Sequence, residues 1–554
     1  MPRDAASVPE TEPFDYVIVG AGSAGSVLAA RLSEDASVRV CLVEAGPPDR
    51  SLFIHVPLGV MALMNHRTFN WRYWTTPQLG LAGRQIYIPR GRGLGGSSSI
   101  NGMVYNRGHP FDYDDWARAG NTGWSYREVL PYFRRSENNE TWPDSPYHGA
   151  GGPMNVTHLD RYNPLCEALF AAAESMQMRR TDDFCGVEQE GFGIRQVTQR
   201  DGRRESAATA YLTPVLRRPN LRVMTGALAH RVTFSGQRAS GLLATVGGAA
   251  RLIPARREVI LAAGAIASPL LLMRSGIGPG EELRRRGIAV RHDSPGVGAN
   301  LQDHITTPIQ YSSPTTVPYG LSVKTAPWLA WNVLRYALFR RGLFANNILH
   351  AGGFVRTDPA LDRPDIQLIL MPAARTAKGT MGIGHGYGLI TVLLRPESRG
   401  RVTLSGAAPD APPVIDPSFL DDPADLAPLL RGVRLARRLL EAPAFAPYRG
   451  EERAPGAAVV SDDSLADYIR AASATAFHPV GTCRMGADDG AVIDPELQVR
   501  GVDGLRVVDA SIMPTLIGGN TNAPVIMIAE KAADMIRGWK PLAPATGIAV
   551  ATER

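Results

Sequence analysis

Six residues near the N-terminus, Gly20-Ala21-Gly22-Ser23-Ala24-Gly25, have the spacing of a phosphate cradle. Gly20 permits a tight turn, Gly22 lets the backbone approach a pyrophosphate, and Gly25 lets a helix pack closely on a strand. The apolar run Tyr16-Val17-Ile18-Val19 stands before them, and residues 26–33 follow with helical apolar spacing. A helix that opens there turns unpaired N–H groups and a positive dipole end toward the phosphates. Glu44 ends the next apolar run, residues 38–43. It lies about 20 residues on, where a carboxylate can bind both ribose hydroxyls. An acid at this strand end favours FAD or NAD over NADP, and the motif alone does not choose between those two.

A second glycine-rich run covers residues 91–102, Gly-Arg-Gly-Leu-Gly-Gly-Ser-Ser-Ser-Ile-Asn-Gly. It offers unobstructed N–H groups, small hydroxyls and one carboxamide in a row. That composition suits backbone packed against a flat ring and a diphosphate.

The elements that must carry these loops are legible from apolar periodicity. The first strand, helix and second strand form a βαβ unit. Residues 46–108 are rich in Gly, Pro, Trp and Ser, long for a plain loop, and such segments are usually functional. Helices are expected at 110–119, 126–136, 267–275, 426–441 and 524–537, and strands at 258–264 (running into a glycine turn), 366–371, 389–394 and 505–510. The fold class is therefore α/β, α+β overall. A doubly wound, Rossmann-like dinucleotide domain is assembled from residues 1–155, 195–310 and 462–554. A substrate domain on an antiparallel sheet with helices takes residues 156–194 and 311–461.

The chain has 554 residues, a net charge of +6 and 20% charged residues, an ordinary soluble balance for two or three structural units. Basic residues are dispersed, which argues against a nucleic-acid partner. Cys41, Cys166, Cys185 and Cys483 form no CxxC pair and no zinc spacing, so neither a disulfide framework nor a metal is expected. Residues 1–14 are polar and acidic, without the apolar core of a secretory signal, and no apolar run reaches transmembrane length. A cytoplasmic protein, peripheral on the inner membrane at most, is the expectation.

Read together, these motifs resemble the glucose–methanol–choline (GMC) oxidoreductase family. The likeness is carried by the N-terminal glycine motif with Glu44, residues 89–108, 264–279 and 296–304, Phe477-His478-Pro479-Val480-Gly481-Thr482 with its continuation to Gly486, and residues 507–536. It is strongest toward the bacterial choline dehydrogenase and aliphatic alcohol dehydrogenase branch. The resemblance implies FAD, held by Gly20, Gly22, Ser23, Ala24, Gly25, Glu44, Ala45, Arg92, Gly95, Gly96, Ser97, Ala263, Phe477, Asp509, Ala510, Asn522 and Ala523. Asn101, Gly102, Met103 and Val104 would lie beside the flavin and Val223 beside the adenine. Some relatives attach the flavin covalently through a histidine in the glycine–serine run. Ile100 holds that place here, so FAD is expected to be non-covalent.

The same resemblance implies the chemistry. Oxidising an alcohol requires the hydroxyl proton to leave and a hydride to reach the flavin. A neutral imidazole, ordinarily near pKa 6.5, suits the first task, and a polar partner must hold the oxygen. His478, restrained by Pro479, is expected as the base, with Asn522 as its oxygen-binding partner; some relatives have a second histidine there. Pro524 fits the first turn of the last helix. Its N-terminus is expected to face the flavin N1–C2=O edge.

His304 is expected to be structural. His350, before Ala351-Gly352-Gly353-Phe354, stands where the similar choline dehydrogenases carry an acid, which points to an uncharged alcohol. Residues 326–341 are aromatic, apolar and basic, and read either as a helix over the substrate cavity or as a surface touching the membrane. The acceptor is a quinone, cytochrome or oxygen. Choline oxidation, an oxygen-using alcohol oxidase, and a lyase of the hydroxynitrile or photodecarboxylase kind on the same fold remain alternatives.

Overall fold

The computed structural model describes residues 12–159, 161–374 and 383–549. Most of the polar lead segment read above, residues 1–11, lies outside them. In chain order, β1 (Phe14–Val19), α1 (Ser23–Leu32) and β2 (Val40–Val43) form the expected βαβ unit. Next come α2 (Tyr126–Ser136), β3 (Gly191–Ile194), β4 (Leu221–Met224), β5 (Ala227–Ser235), β6 (Arg238–Val246) and β7 (Ala249–Leu261). Then follow α3 (Gly264–Arg274), β8 (Ile305–Ser312), α4 (Ala326–Phe339), β9 (Ala351–Val355), β10 (Ile366–Met371) and β11 (Gly384–Leu393). The chain ends with α5 (Leu426–Glu441), β12 (Glu452–Ala454), α6 (Asp462–Ala472), β13 (Leu505–Val507) and α7 (Asn522–Arg537).

The first sheet is parallel across β4-β2-β1-β7-β13. Every residue of β1 and β2 is buried, as a strand covered on both faces requires. The long β7 extends beyond the parallel core and turns with β5 and β6 into an antiparallel meander. Gly25 is the tightest joint. A Cβ there would stand 1.8 Å from the Gly20 carbonyl oxygen, so α1 could not lie on β1 with any side chain at that position.

Three helices behind this sheet are tied by one buried carboxylate. Glu530 of α7 pairs with Arg31 of α1 at 2.9 Å and Arg135 of α2 at 2.8 Å, and accepts from the Tyr211 hydroxyl at 2.8 Å. Breaking a buried charge cluster of this kind costs several kcal/mol, because the remaining charges are left uncompensated. The cluster sets the mutual orientation of α1 and α7, whose N-termini both point at the site.

The second sheet is antiparallel, in the order β12-β8-β11-β10-β9-β3 with two short strands added. Its central strands divide their residues between two faces with period two. Ile305, Ile309, Tyr311, Ile366, Leu368, Leu370, Tyr387 and Leu389 join the core that also takes α5. Thr306, Pro308, Gln310, Ile369, Met371 and Ile390 line the central cavity, which Ile309 and Tyr311 of the core face also reach.

The sheets relocate parts of the expected domain division. Residues 305–310 and 474–475 belong to the second sheet, not to the dinucleotide unit in which the sequence places them. The hairpin of 401–404 and 413–416 packs Val402, Leu404 and Ile415 into the first core. Strand partners, which sequence does not show, decide these memberships. Among the described residues no helix is long and apolar enough to cross a membrane.

Candidate active site

A single cavity of about 1810 Å³ runs from the end of β2, past the N-termini of α1 and α7, to the inner face of the second sheet. Its volume is well above that of a pocket for one small ligand. Gly20 has φ +101°, and a Cβ on Gly22 would meet nothing within 4 Å, leaving open space at the mouth of α1. A Cβ on Gly96 would stand 2.7 Å from the Gly22 Cα, so the two glycine loops meet backbone to backbone. Glu44 is buried at the end of β2 and accepts from the N–H groups of Ala21, Gly46 and Gly93 at 2.9, 2.8 and 2.9 Å. Burial pushes its carboxyl up, and the three N–H groups oppose that shift. Cradle, acid and volume fit a dinucleotide carrying a large flat ring.

Most residues expected at the cofactor do line this cavity: Gly20, Gly22, Ser23, Ala24, Glu44, Ala45, Arg92, Gly96, Ser97, Asn101, Gly102, Met103, Val104, Ala263, Phe477, Asp509, Ala510 and Asn522. Gly25, Gly95, Val223 and Ala523 do not. Gly25 is used in the helix–strand contact. Gly95 has φ +84°, and a Cβ on it would stand 2.2 Å from Ser99 Oγ, so it shapes the loop. Val223 is in β4, in register with Leu42, and Ala227, Leu228 and Ala229, just past the Gly226 turn, line the wall instead. Asp509 serves as a clamp: its carboxylate accepts from the Gly264 N–H at 2.8 Å, Ser268 Oγ at 2.5 Å and Ser511 Oγ at 2.6 Å.

His478 lies at the far end, and its partner is Asn520, not Asn522. Asn520 Nδ2 is 3.1 Å from His478 Nε2. Asn522 is the first residue of α7 and accepts from Ser23 Oγ at 2.7 Å, locking the N-termini of α1 and α7 together. Two asparagines in Gly-Gly-Asn-Thr-Asn satisfy the same motif, and only the path of the chain into α7 separates them. The preceding loop is pinned: Gly518 N–H donates to Asp112 at 2.7 Å, and Gln189 donates to the Gly518 carbonyl at 2.8 Å. A Cβ on Gly519 would fall 1.9 Å from Asn106 Oδ1, so glycine is required beside Asn520. Pro524 lies in the first turn of α7, and Thr521, Asn522 and Val525 line the cavity, so this helix end does face it.

Two adjacent residues hold His478 directly: His304, expected to be structural, and Asp303, to which the sequence assigns no role. Asp303 accepts from the His478 backbone N–H at 2.8 Å and from the Thr475 hydroxyl. His304 Nδ1 is 2.9 Å from His478 Nδ1, with the rings edge-on at 89°. His304 Nε2 is 3.2 Å from the Leu394 carbonyl, which can only accept. The protons are therefore placed in sequence. His304 carries its proton on Nε2, its Nδ1 accepts from His478 Nδ1–H, and the lone pair of His478 is left on Nε2, facing the Asn520 amide. Burial, and secondarily the neighbouring His304, hold the His478 imidazole well below its ordinary pKa, so it is neutral. Phe477, with φ +70°, is strained just before it, and Arg90 grips its carbonyl at 2.6 Å.

His350 does not reach the cavity. Its Nδ1 accepts from the Asn163 N–H at 2.9 Å and its other nitrogen donates to Asn346 Oδ1, so its hydrogen bonding is complete inside the protein. Asn347, Ile348 and Leu349 line the wall before it. Ile100 is buried at the cavity where a covalent histidine would stand in some relatives. No residue of α4 lines the cavity, so the helix does not roof the site.

Residues 14–306 and 396–529 match the two family models described as GMC oxidoreductase. The chain is 44% identical over 526 residues to an alcohol dehydrogenase (acceptor) of Pseudomonas putida, covering 94% of this chain and 95% of that one. It is 44% identical over 549 residues to an oxygen-dependent choline dehydrogenase of Pseudomonas aeruginosa (strain LESB58), covering 97% of each. Among solved structures, pyridoxine 4-oxidase from Mesorbium loti superposes with a TM-score of 0.86 at 35% identity, covering 95% of this chain and all of that one. The R554A variant of Aspergillus oryzae RIB40 formate oxidase gives 0.89 at 29%, covering 96% and 99%. The chain belongs to the GMC oxidoreductase family. It is an FAD-dependent oxidoreductase, and the cradle described above fits that cofactor.

The buried histidines give a pH prediction. Burial lowers His109, His304 and His350 to about 4 in the folded protein. In the unfolded chain they protonate near 6.5. As pH falls from 6.5 toward 4 the unfolded state binds more protons, so each costs up to about 1.4 kcal/mol of stability per pH unit. Asp303, pushed up to about 6 by burial, works in the opposite direction below that pH. The thermal midpoint should fall between pH 7 and pH 5, and His350→Asn should flatten that slope. A midpoint that is constant or rises over this range contradicts the reading.

Proposed function

We propose that the protein oxidises a primary alcohol to the aldehyde, with His478 Nε2 as the base and Asn520 as the oxygen-binding partner. One observation supports this most: the hydrogen-bond chain from the Leu394 carbonyl through His304 leaves a lone pair on the cavity-facing nitrogen of a neutral imidazole. The hydroxyl proton passes to His478 Nε2. Asn520 Nδ2 donates to the oxygen as charge develops on it, a preorganised contact of the kind that contributes most in a water-poor site. FAD, when bound, supplies the acceptor for the hydride that leaves the carbinol carbon. The N-termini of α1 and α7, tied together by the Ser23–Asn522 hydrogen bond, would present positive partial charge toward the cofactor. The names of the similar bacterial dehydrogenases agree with this chemistry.

A quaternary ammonium substrate fits less well. Among the described residues, the carboxylates at the cavity wall are Glu44 and Asp509 at the cofactor and Asp410 in the outer 401–416 hairpin. The Asp303 carboxylate that holds the His478 backbone does not line the cavity. The substrate wall is Thr306, Pro308, Ile348, Leu349, Ile369, Met371 and Ile390.

His478→Ala should lower anaerobic flavin reduction by alcohol by about 10³-fold or more, and Asn520→Ala by about 10²-fold. Asn522→Ala should chiefly weaken FAD retention. Equal kinetic losses at Asn520 and Asn522, or normal reduction in the His478 variant, would remove these roles. Because Ile100 offers no atom for a covalent bond, denaturing the protein and filtering it should release all of the yellow colour; colour left on the chain excludes a non-covalent cofactor.

The electron acceptor is a quinone or another carrier, and α4 supports a site of contact with the bilayer where quinones dissolve. The helix buries only Asn332 and Tyr336 and exposes Trp328, Trp331, Val333, Leu334, Leu338 and Phe339. Residues 320–345 contain four basic side chains and no acid. Aromatic and basic side chains on one exposed helix suit an anionic lipid surface. Co-sedimentation with phosphatidylglycerol vesicles, weakened by salt and by Trp331→Glu, is expected; no vesicle binding at low salt would refute it.

A further inference from the structure

Among the described residues Arg195 is the arginine whose side chain reaches Asn520, and the mechanism above does not use it. It follows β3 and continues the β3–β9 ladder by donating its backbone N–H to the His350 carbonyl at 2.8 Å. Its side chain lines the cavity and is 4% exposed. One guanidinium nitrogen lies 3.5 Å from Asn520 Oδ1, and the other terminal nitrogen has no hydrogen-bond partner. No ion pair involves Arg195 among the described residues.

The contrast with the other buried arginines is informative. Arg107 is paired with Glu137; Arg204, which also leaves one terminal nitrogen without a partner, donates to the carbonyls of Ile54, Ser98 and Asn101 and does not line the cavity. Arg90 donates to the Phe477 carbonyl and has the Asp303 carboxylate nearby. A buried cation without a counter-charge is costly to the fold. It is retained most readily where a ligand completes it. Burial lowers the guanidinium to about 10, so it remains charged at neutral pH.

We propose that Arg195 forms a carboxylate subsite, and that the substrate is a short alcohol carrying a carboxylate close to its carbinol carbon. This rests on the alcohol-oxidation reading and narrows its substrate class. Geometry sets the chain length: only the Asn520 carboxamide separates the guanidinium from His478 Nε2. An alcohol whose hydroxyl meets His478 and Asn520 thus brings a carboxylate on the second or third carbon to Arg195. A guanidinium forms paired, charge-assisted hydrogen bonds to a carboxylate. Asn520 Oδ1 would keep its contact with the same group, holding the amide with Nδ2 toward the base.

The test uses the FAD-loaded enzyme. Propionate, titrated against propionamide as the neutral isostere, should perturb the oxidised flavin spectrum saturably and compete with alcohol. In stopped-flow reduction 3-hydroxypropanoate should have a higher kcat/KM than propan-1-ol. Arg195→Met should lower the ratio of those two values by about 10- to 100-fold, and Arg195→Lys should restore part of it. Absence of propionate binding to the wild-type enzyme overturns the proposal, even where the variants do not fold. So does an Arg195→Met variant that slows both alcohols equally, since Arg195 would then only position Asn520. If no alcohol reduces the wild-type flavin, the alcohol-oxidation reading fails, and the spectral titration still decides the subsite.

Discussion

The chemistry depends on where one proton is not. A buried imidazole is a base only through the nitrogen that lacks hydrogen, and its tautomer follows from what the other nitrogen meets. Here a backbone carbonyl that can only accept, that of Leu394, starts a chain through His304 that ends with a lone pair on His478 Nε2. Asn520, whose Nδ2 can only donate, completes the arrangement. Burial keeps both rings neutral, since a charge would have to be carried in a desolvated site, beside Arg90 and Arg195 on His478 and beside Arg395 on His304.

The surrounding fold supports this arrangement by tying distant segments to one another. Asp303 and His304 are consecutive, so one strand end grips both the backbone and the ring of His478. Asn520 comes from a loop held by Asp112, Gln189 and the required glycine at 519. Beyond it, α7 is joined to α1 at its start by Ser23 and Asn522 and further along by Glu530 with Arg31 and Arg135. The glycine loops and His478 are therefore parts of one framework. Such a framework is what catalysis by positioned dipoles requires.

The second sheet contributes selectivity. Its period-two alternation presents short and apolar side chains to the cavity while the other face packs on α5. Against this apolar wall, Arg195 is the conspicuous polar feature near the reacting end. An unpaired cation in such a place shifts the expectation from a plain aliphatic alcohol toward one that carries its own anion.

The βαβ unit, the glycine cradle with Glu44, most helices and the presence of His478 were legible from local order, because turns, caps and apolar periodicity are written in consecutive residues. The amphipathic helix at 426–441 was read to the residue for that reason. Three-dimensional structure alone decided the rest. Asn520 and Asn522 are chemically identical and two residues apart, and the entry into α7 sends one to the base and the other to Ser23. Val223 gave way to residues 227–229, and 305–310 changed sheets, because strand partners are long-range. His350 looked selective from its neighbours in sequence, but its ring is satisfied by Asn163 and Asn346. The exposed face of α4 and the uncompensated charge of Arg195 share the same cause: whether a side chain has a partner depends on segments that sequence proximity does not reveal.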